Sequence, residues 1–393
     1  MERIRATSLA LDWLVHSDVR HDKDQTAQGG VNQGYNWRRR GYPFIYSEIT
    51  GYAVSTFVNA YRWTADESYI ALARRSADFL LRVQGLAEGD AARGAVPHSL
   101  SLPDRLPRLQ YHSFDASMCL QGLLDLDAIR PAPELEGAAQ AIGDWLLERM
   151  QRDKGSFLSM YDAETGAWQH AGDDFFCDDG CLHAKHAIGL LKLGRVTGDD
   201  RYIGAAERVC DWVLGLQDDD GAFRATERLR QVVSHPHCYA TEGLLYAHFT
   251  LGTERYLESA RRAGEWLLSV QNRDGSINIA YKRRWWRMGR RITEKFRPQR
   301  VTDATAQAIR IWLILYHLDG DRRFLDACYR AGGFVRRMQC TSSSDRNAVG
   351  GFYFSPGHPI MFTWCTMFAI HALYALEHAA REEGYQHMMT ELF

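Results

Sequence analysis

The chain has 393 residues, of which 46% are hydrophobic and 24% are charged, and its formal net charge is -2 with a pI near 6.7. These values are typical of a globular protein and exclude a general affinity for polyanions. The sequence has no apolar run of the roughly 18 residues that a membrane span needs. It also lacks the pattern of a signal peptide, and its eight cysteines are scattered, which predicts reduced thiols and a cytoplasmic location.

A repeated segment sets the predicted architecture. In each copy an aromatic residue is followed 15 positions later by a glutamine, with apolar residues at helical spacing between them. Copies lie at residues 69–84, 202–217, 256–271 and 324–339; residues 136–151 lack the aromatic, and residues 1–15 form a sixth copy. This spacing predicts amphipathic helices that pack through one face, as the outer helices of a ring do.

A second set of segments is apolar almost all round, which predicts buried inner helices. They occur at residues 118–126, 184–193, 241–250, 304–318 and 367–376. We therefore predict an all-α fold, an (α/α)6 barrel of six helical hairpins in one toroidal domain spanning residues 1–393.

The connections from outer to inner helices are long, whereas the connections from inner to outer helices are short. The long ones are residues 16–47, 85–114, 152–177, 218–234, 272–302 and 340–362. Because the helices alternate in direction, all the long connections are expected on one face of the ring. Function is predicted there.

Counting back 36 residues from each repeat glutamine selects equivalent positions near the inner-helix starts. These are Glu48, Asp115, Cys181, His235 and Asp303, and alignment of the last hairpin adds Cys365. Acids at helix starts also serve as N-caps, which is the structural alternative for Asp115 and Asp303. Carboxylates that converge on one cavity would instead raise each other's pKa values and preserve a proton donor.

Two kinds of chemistry suit the predicted catalytic residues. Glycoside cleavage needs an acid and a carboxylate across the bond, and Asp115 with Asp178 or Asp179 would supply them. His235, His237 and Tyr239 would suit proton abstraction beside a uronate, as in a lyase or a C5-epimerase, with an arginine neutralising the carboxylate. Cys177, Cys181, His183 and His186 could in principle hold zinc, but helical spacing turns His183 away from the cysteines. We therefore expect no metal and no cofactor.

The substrate-binding residues are predicted from neighbouring positions and from aromatics in the long connections, where rings stack on sugar faces. The set is Tyr46, Tyr52, His112, Trp168, Phe176, His183, His237, Tyr239, Glu242, Arg284, Trp285, Trp286, Tyr353 and Trp364.

Residues 282–300 are the strongest local charge feature, with two adjacent tryptophans among many arginines. We expect this segment to be a loop that grips an anionic glycan or contacts an anionic membrane surface carrying a lipid-linked sugar. Nucleic acid is not an expected partner because the rest of the chain shows no basic face.

After three of the repeat glutamines the chain reads Gln-x-x-x-Gly-x-apolar, at residues 151–157, 217–223 and 271–277. This element resembles that of helical toroids, and the whole chain resembles the glycan-active six-hairpin superfamily. That superfamily includes unsaturated glucuronyl hydrolases, N-acylglucosamine 2-epimerases, the helical domains of glucuronyl C5-epimerases and helical proteins of bacterial polysaccharide biosynthesis. In the hydrolases two aspartates on successive inner helices carry the chemistry, and Asp115 with Asp178 or Asp179 is similar in placement.

The resemblance implies a carbohydrate-active enzyme that acts on an oligosaccharide or polysaccharide. We expect a glycoside hydrolase most directly, with a uronate-containing or lipid-linked glycan as substrate. A lyase or epimerase, a terpenoid-cyclase-like toroid and a non-catalytic glycan-binding subunit are the alternatives. The terpenoid cyclase is disfavoured because its Asp-x-Asp-Asp motif is absent.

Overall fold

The computed structural model describes residues 2–22, 24–87, 89–168, 178–285 and 291–378, with side chains described for 6–22, 24–87, 89–168, 178–282 and 298–378. Phe176 and Trp286, both predicted to bind substrate, lie outside the described residues, and only the backbone is described at Arg284 and Trp285.

Helices dominate the described chain and alternate between an outer and an inner set. In chain order they are α1 (Glu2–His16), α2 (Ser47–Thr64), α3 (Glu67–Gln84), α4 (Ser113–Asp127), α5 (Pro133–Trp145), α6 (His186–Thr197), α7 (Asp200–Leu214), α8 (Ser234–Leu251), α9 (Glu254–Val270), α10 (Thr302–Asp319), α11 (Arg322–Arg337) and α12 (Thr363–His378). A π-helical turn, Leu146–Met150, extends α5, and a 3-10 turn, Cys181–Lys185, precedes α6.

The even-numbered helices form the inner ring. Each packs against the next, and α12 packs against α2, which closes the circle. The odd-numbered helices pack outside, each against its inner partner, and α1 pairs with α12 from the other end of the chain. The inner helices are buried almost along their length, as their apolar sequences predict.

Short turns join inner to outer helices through local capping chemistry. Glycines in the left-handed region end α6, α8 and α10, where a residue without a Cβ is favoured. Aspartates then accept hydrogen bonds at the starts of α3, α7 and α11. Two residues separate the helices in four of these turns, and five residues separate α4 from α5.

The repeat glutamines tie neighbouring hairpins together. Each side-chain amide donates to a glycine carbonyl in its own turn and to a carbonyl of the next outer helix. Gln217, for example, donates to Gly221 at 3.0 Å and to Ser259 at 2.9 Å, and Gln339 donates to Ala6 at 2.8 Å where the two chain ends meet. A Cβ on Gly221 would lie 2.1 Å from the Arg262 carbonyl oxygen, so this contact requires glycine.

The long connections carry short strands. The strands are β1 (Gly34–Asn36), β2 (Ile45–Tyr46), β3 (Ser99–Leu100), β4 (Gln110–His112), β5 (Met160–Asp162), β6 (Ala167–Trp168), β7 (Val232–Val233), β8 (Ile277–Trp285), β9 (Arg291–Val301) and β10 (Ile360–Phe362). They form four antiparallel sheets, ordered β1-β10, β2-β3, β4-β5-β6 and β7-β8-β9.

Residues 282–300 were predicted to form a loop, but the described parts of this segment, 282–285 and 291–300, are strands. Strands β8 and β9 make an antiparallel hairpin in which Trp285 is paired with Arg291 and Ile277 with Val301. Its inner edge pairs with β7, which anchors the hairpin beside the start of α8. The sequence did not suggest strands here because its many basic residues are not typical of β-strands. Among the helices of the described ranges, none combines the length and the hydropathy of a membrane span.

Candidate functional site

The starts of the inner helices are positioned by a repeated hydrogen bond that the sequence analysis did not identify. The first residue of five inner helices is Ser or Thr, and its hydroxyl donates to a backbone carbonyl of a long connection. The donors are Ser47, Ser113, Ser234, Thr302 and Thr363, with bond lengths of 2.5 to 2.8 Å. The next one or two residues of each helix therefore lie at the open end of the ring.

The residues chosen by the 36-residue offset fall at these places. Glu48, His235 and Asp303 are the second residues of α2, α8 and α10, and Asp115 is the third residue of α4. The start of the third inner helix differs from the others. Residues 177–180 were predicted to begin this helix, but helical structure begins at Cys181 as a 3-10 turn. Cys181 and Cys365 are fully buried.

The first group, which we call the acid cluster, consists of Glu48, Asp115, Tyr46, His98 and His112. His98 Nδ1 lies 2.7 Å from Asp115 Oδ2, and the Tyr46 hydroxyl donates to Asp115 Oδ1 at 3.3 Å. Glu48 is within hydrogen-bonding reach of Asp115 and Tyr46. The N-cap position of α4 is His112, so Asp115 lies inside the helix and its carboxylate bonds to side chains of the cluster.

Burial raises the pKa of Glu48 well above its ordinary value, and the negative charge of Asp115 adds to the shift. Glu48 is only 8% exposed and Asp115 only 3%. The protonated form of Glu48 is therefore favoured beside the carboxylate of Asp115. Burial also lowers the pKa of His112 to about 4, which keeps its ring neutral. The acid cluster therefore contains a carboxyl group whose protonated form is favoured by its surroundings.

The second group, the histidine cluster, consists of His235, Asp303, Gln307, Tyr239 and Trp364. His235 Nδ1 lies 2.5 Å from Gln307 Oε1 and 3.9 Å from Asp303 Oδ2. The Trp364 indole donates to Asp303 Oδ2 at 3.2 Å, and the Asp303 Oδ1 atom accepts from the Ala304 backbone at 2.7 Å. Burial lowers the pKa of His235, although the charge of Asp303 works in the opposite direction.

The two clusters are on opposite sides of the ring, because α2 and α8 are separated by two inner helices in each direction. The hydroxyls of Tyr52 on α2 and Tyr239 on α8 share a hydrogen bond of 2.9 Å across the centre. Glu48 is one turn before Tyr52, and His235 is one turn before Tyr239 with ring centroids 4.2 Å apart. The tyrosine bridge thus forms a floor with a proton donor and a proton acceptor on its two sides.

Below this floor is a buried charged group, the ion triad, of Lys185, Glu242 and Arg310. Lys185 Nζ lies 2.5 Å from Glu242 Oε2, and Arg310 pairs with the other carboxylate oxygen. Glu242 and Lys185 are fully buried, and a substrate-binding role for Glu242 remains a prediction. Burial lowers the pKa of Lys185 to about 8, with Glu242 opposing the shift.

The ion triad orients His235 through one amide. Glu242 is paired with two cations and so accepts hydrogen bonds, and it accepts from Gln307 Nε2 at 3.2 Å. The Gln307 oxygen consequently faces His235 Nδ1, which must carry the proton. The lone pair of neutral His235 is then on Nε2, where it can act as a base.

Other residues predicted to act at the site have structural contacts instead. His237 is fully buried; its Nδ1 accepts from the Phe223 backbone at 3.1 Å and its Nε2 donates to the Ala263 carbonyl at 3.2 Å. His183 is also buried, against Phe157 and His186. These contacts give both histidines a structural role, and their substrate-binding roles remain predictions.

Asp178 and Asp179 belong to the connection before α6 and bond to its neighbours. Asp179 accepts from Ser156 at 2.7 Å and lies 3.1 Å from Lys154 Nζ, while Asp178 pairs with Arg228 at 3.2 Å. Burial alone would raise the pKa of Asp179, but the Ser156 hydrogen bond and nearby His183 and Lys154 hold it below its ordinary value. The carboxyl group beside Asp115 is that of Glu48, and a pairing of Asp115 with Asp178 or Asp179 remains only a prediction.

The aromatic residues predicted in the connections line the open end. Trp168 is on β6, 37% exposed, with its ring 4.3 Å from that of Tyr161. Tyr353 meets Trp37 edge to face, and Trp364 stacks on Phe362 at 4.1 Å. Within the described residues, no three His, Cys, Asp or Glu side chains are grouped as metal ligands. Cys177, one of the zinc ligands considered, is outside those residues.

The fold is similar to solved structures of sugar enzymes at low sequence identity. Cellobiose 2-epimerase from Bacillus thermoamylovorans matches with a TM-score of 0.75 at 13% identity, over 94% of this chain and 99% of that chain. D-mannose isomerase matches with 0.73 at 12% identity, over 95% and 97%. An unsaturated glucuronyl hydrolase from Bacillus sp. GL1 matches with 0.68 at 16% identity, over 95% and 97%. No protein-family model and no curated protein sequence matches the chain. The predicted (α/α)6 toroid is confirmed.

Proposed function

We propose that this chain is a carbohydrate-active enzyme that binds a sugar over the tyrosine bridge and hydrolyses its glycosidic bond. The observation that carries the proposal is the acid cluster on one side of the ring with the histidine cluster facing it on the other. The similar solved structures are of a cellobiose 2-epimerase, a mannose isomerase and an unsaturated glucuronyl hydrolase, which supports a carbohydrate as the substrate. Half-buried aromatics at the open end suit apolar sugar faces.

In this mechanism the carboxyl proton shared by Glu48 and Asp115 passes to the glycosidic oxygen as the bond to the anomeric carbon breaks. A water molecule on the opposite face gives its proton to Asp303 and its oxygen bonds to the anomeric carbon. An acid and a base on opposite sides of the ring, with a water molecule between the base and the sugar, correspond to an inverting mechanism. His98 and Tyr46 hold the Asp115 carboxylate in place and stabilise its charge after proton transfer.

Epimerisation is the second candidate, because His235 is held with a free Nε2 lone pair opposite the acid cluster. His235 would remove a proton from the carbon beside a sugar carbonyl, and the acid cluster would protonate the carbonyl oxygen to form an enediol. The enediol would then turn its opposite face to His235, which returns the proton to that carbon while the enediol hydroxyl gives its proton back to the acid cluster, and the carbon is inverted. Two of the three neighbours described above are a 2-epimerase and an isomerase.

The reactions differ in what they do with solvent hydrogen. We would incubate the protein in D2O with reducing disaccharides and with uronate-containing oligosaccharides, and analyse products by NMR and mass spectrometry. Hydrolysis yields shorter sugars without carbon-bound deuterium, whereas epimerisation places deuterium on carbon and preserves chain length. The Asp115→Asn and His235→Asn variants identify the cluster responsible. Failure of every sugar to react or bind would refute the proposal.

A further inference from the structure

A second cavity lies at the rim of the open end, between the first and the last long connection. Its volume is about 450 Å³, and it is lined by Trp37, Arg38, Arg40, Ser343, Asp345, Ala348 and Tyr353. None of these residues belongs to the acid cluster, the histidine cluster or the ion triad. We propose that this cavity is a subsite for an acidic sugar unit, whose carboxylate binds to Arg38 and Arg40. The inference rests on the proposed function, since it assigns a substrate class to the same site.

The arginines are presented by a turn between β1 and β2. Asn36 and Gly41 close the turn through two backbone hydrogen bonds of 2.9 and 3.3 Å, and the Asn36 side chain accepts from the backbones of Arg38 and Arg39. Arg40 has a φ of 50°, in the left-handed region that residues with a Cβ rarely adopt. The turn thus holds a strained arginine at the cavity, as ligand-binding sites often do.

The charge of the cavity favours an anion. Arg38 and Arg40 outnumber the one lining carboxylate, Asp345, which already accepts hydrogen bonds from the Tyr35 hydroxyl and the Asn347 backbone. Arg38 lies 5.1 Å over the Trp37 ring and donates to the Gly357 carbonyl at 3.0 Å, which fixes its guanidinium. Among the described residues, Arg40 has no ion pair. Guanidinium groups match carboxylates through paired hydrogen bonds.

An aromatic track connects this cavity with the histidine cluster. Trp364, which bonds to Asp303, stacks on Phe362 at 4.1 Å with an interplanar angle of 16°. Phe362 meets Phe354 edge to face at 5.3 Å, and the Trp37 indole donates to the His358 carbonyl at 3.0 Å. All these rings are half-buried. A glycan cleaved at the centre can therefore extend along the track and place an acidic unit in the cavity.

The test is glycan binding by the full chain with Asp115→Asn added to prevent turnover. The probes are a glucuronate-containing tetrasaccharide and the same tetrasaccharide with its carboxyl groups reduced to alcohols, measured by calorimetry. We expect Arg38→Ser and Arg40→Ser each to weaken binding of the acidic probe by about tenfold, the loss expected for a charge-assisted hydrogen bond. Binding of the reduced probe should change little.

Arg39→Ser is the matched control, because Arg39 is exposed on the same turn but does not line the cavity. The subsite is refuted if all three arginine variants behave alike, or if the reduced probe loses as much affinity as the acidic one. The proposed function survives either result, since both leave glycan binding at the centre intact. If the Asp115→Asn protein with all three arginines intact binds neither probe, the proposed function and the subsite are refuted together.

Discussion

Tyr52 and Tyr239 share a hydrogen bond of 2.9 Å although they are 187 residues apart and belong to helices on opposite sides of the ring. Both are buried, and their pKa values are raised, chiefly by burial, so both hydroxyls are protonated at neutral pH. The bond closes the bore of the inner ring. It also sets the separation between Glu48 and His235, each one turn closer to the open end.

Breaking this bond should weaken the ring measurably. We expect Tyr52→Phe to lower the free energy of unfolding by about 1 kcal/mol, the usual net value of a buried hydrogen bond. The Tyr239→Phe variant should cost a similar amount, and the double variant less than the sum, because the two changes remove one shared bond. Urea denaturation of the four proteins measures this coupling. Strict additivity would show that the tyrosines do not act together.

The raised pKa of Glu48 makes stability depend on pH with a definite sign. The folded protein holds this proton more tightly than the unfolded chain, so the resulting stability is complete below the ordinary pKa, near 4.5, and is lost as the pH rises through the raised value. Glu48→Gln removes this titration. The variant should therefore become more stable relative to the wild type as the pH rises through the raised pKa of Glu48. Urea midpoints across pH test this; the exposed Glu67→Gln serves as control. Parallel pH profiles for wild type and Glu48→Gln would exclude a raised pKa.

Gln307 should control the protonation site of His235. Gln307→Met removes the acceptor at Nδ1, so we expect His235 to populate both neutral tautomers and epimerisation, in which His235 is the base, to slow by about tenfold or more, with glycan affinity little changed. The ¹⁵N NMR shifts of the ring report the tautomer. His237 is an internal control, because backbone groups hold its proton on Nε2. If the His235 ring shifts are unaltered by the substitution, Gln307 does not control the tautomer of His235.

Glu242 neutralises two buried cations, and its loss should be severe. Glu242→Gln leaves Lys185 and Arg310 without a counter-charge, which is expected to cost about 3–5 kcal/mol of unfolding free energy. Lys185→Met should cost less, because a neutral Glu242–Arg310 pair remains. Glu265→Gln, which breaks an exposed pair with Arg323, should cost less than about 1 kcal/mol. Equal losses for Glu242→Gln and Glu265→Gln would contradict the buried triad.

The ring and the site positions were accessible from the sequence to different degrees. Glutamine spacing predicted the outer helices because the same bond between hairpins recurs, as Gln217 and Gln339 show. The offset found Glu48, Asp115, His235 and Asp303 because inner helices begin at a constant distance from that glutamine. At the third hairpin it selected Cys181, where helical structure begins as a 3-10 turn, whereas the separate prediction that residues 177–180 start this helix was wrong.

Residues that depend on contacts between distant hairpins could not be predicted. His98 lies in a long connection without helical spacing, so nothing in the sequence pointed to Asp115 as its partner. Polar residues within the apolar inner segments were the one indication of buried polar contacts; these residues are Lys185, Gln307 and Arg310. Their partners are contributed by other helices of the ring, and only the fold brings them together.

The most direct test of the account is the turnover of Asp115→Asn on the sugar that the wild type converts. An asparagine keeps the shape and the hydrogen bond from Tyr46 but cannot share a proton with Glu48. Positioned acid or base catalysis contributes about 100-fold to 10,000-fold, so turnover should fall by that factor while glycan affinity and melting temperature stay near those of the wild type. Full activity in the Asn variant would show that Asp115 is structural and would contradict proton transfer at the acid cluster.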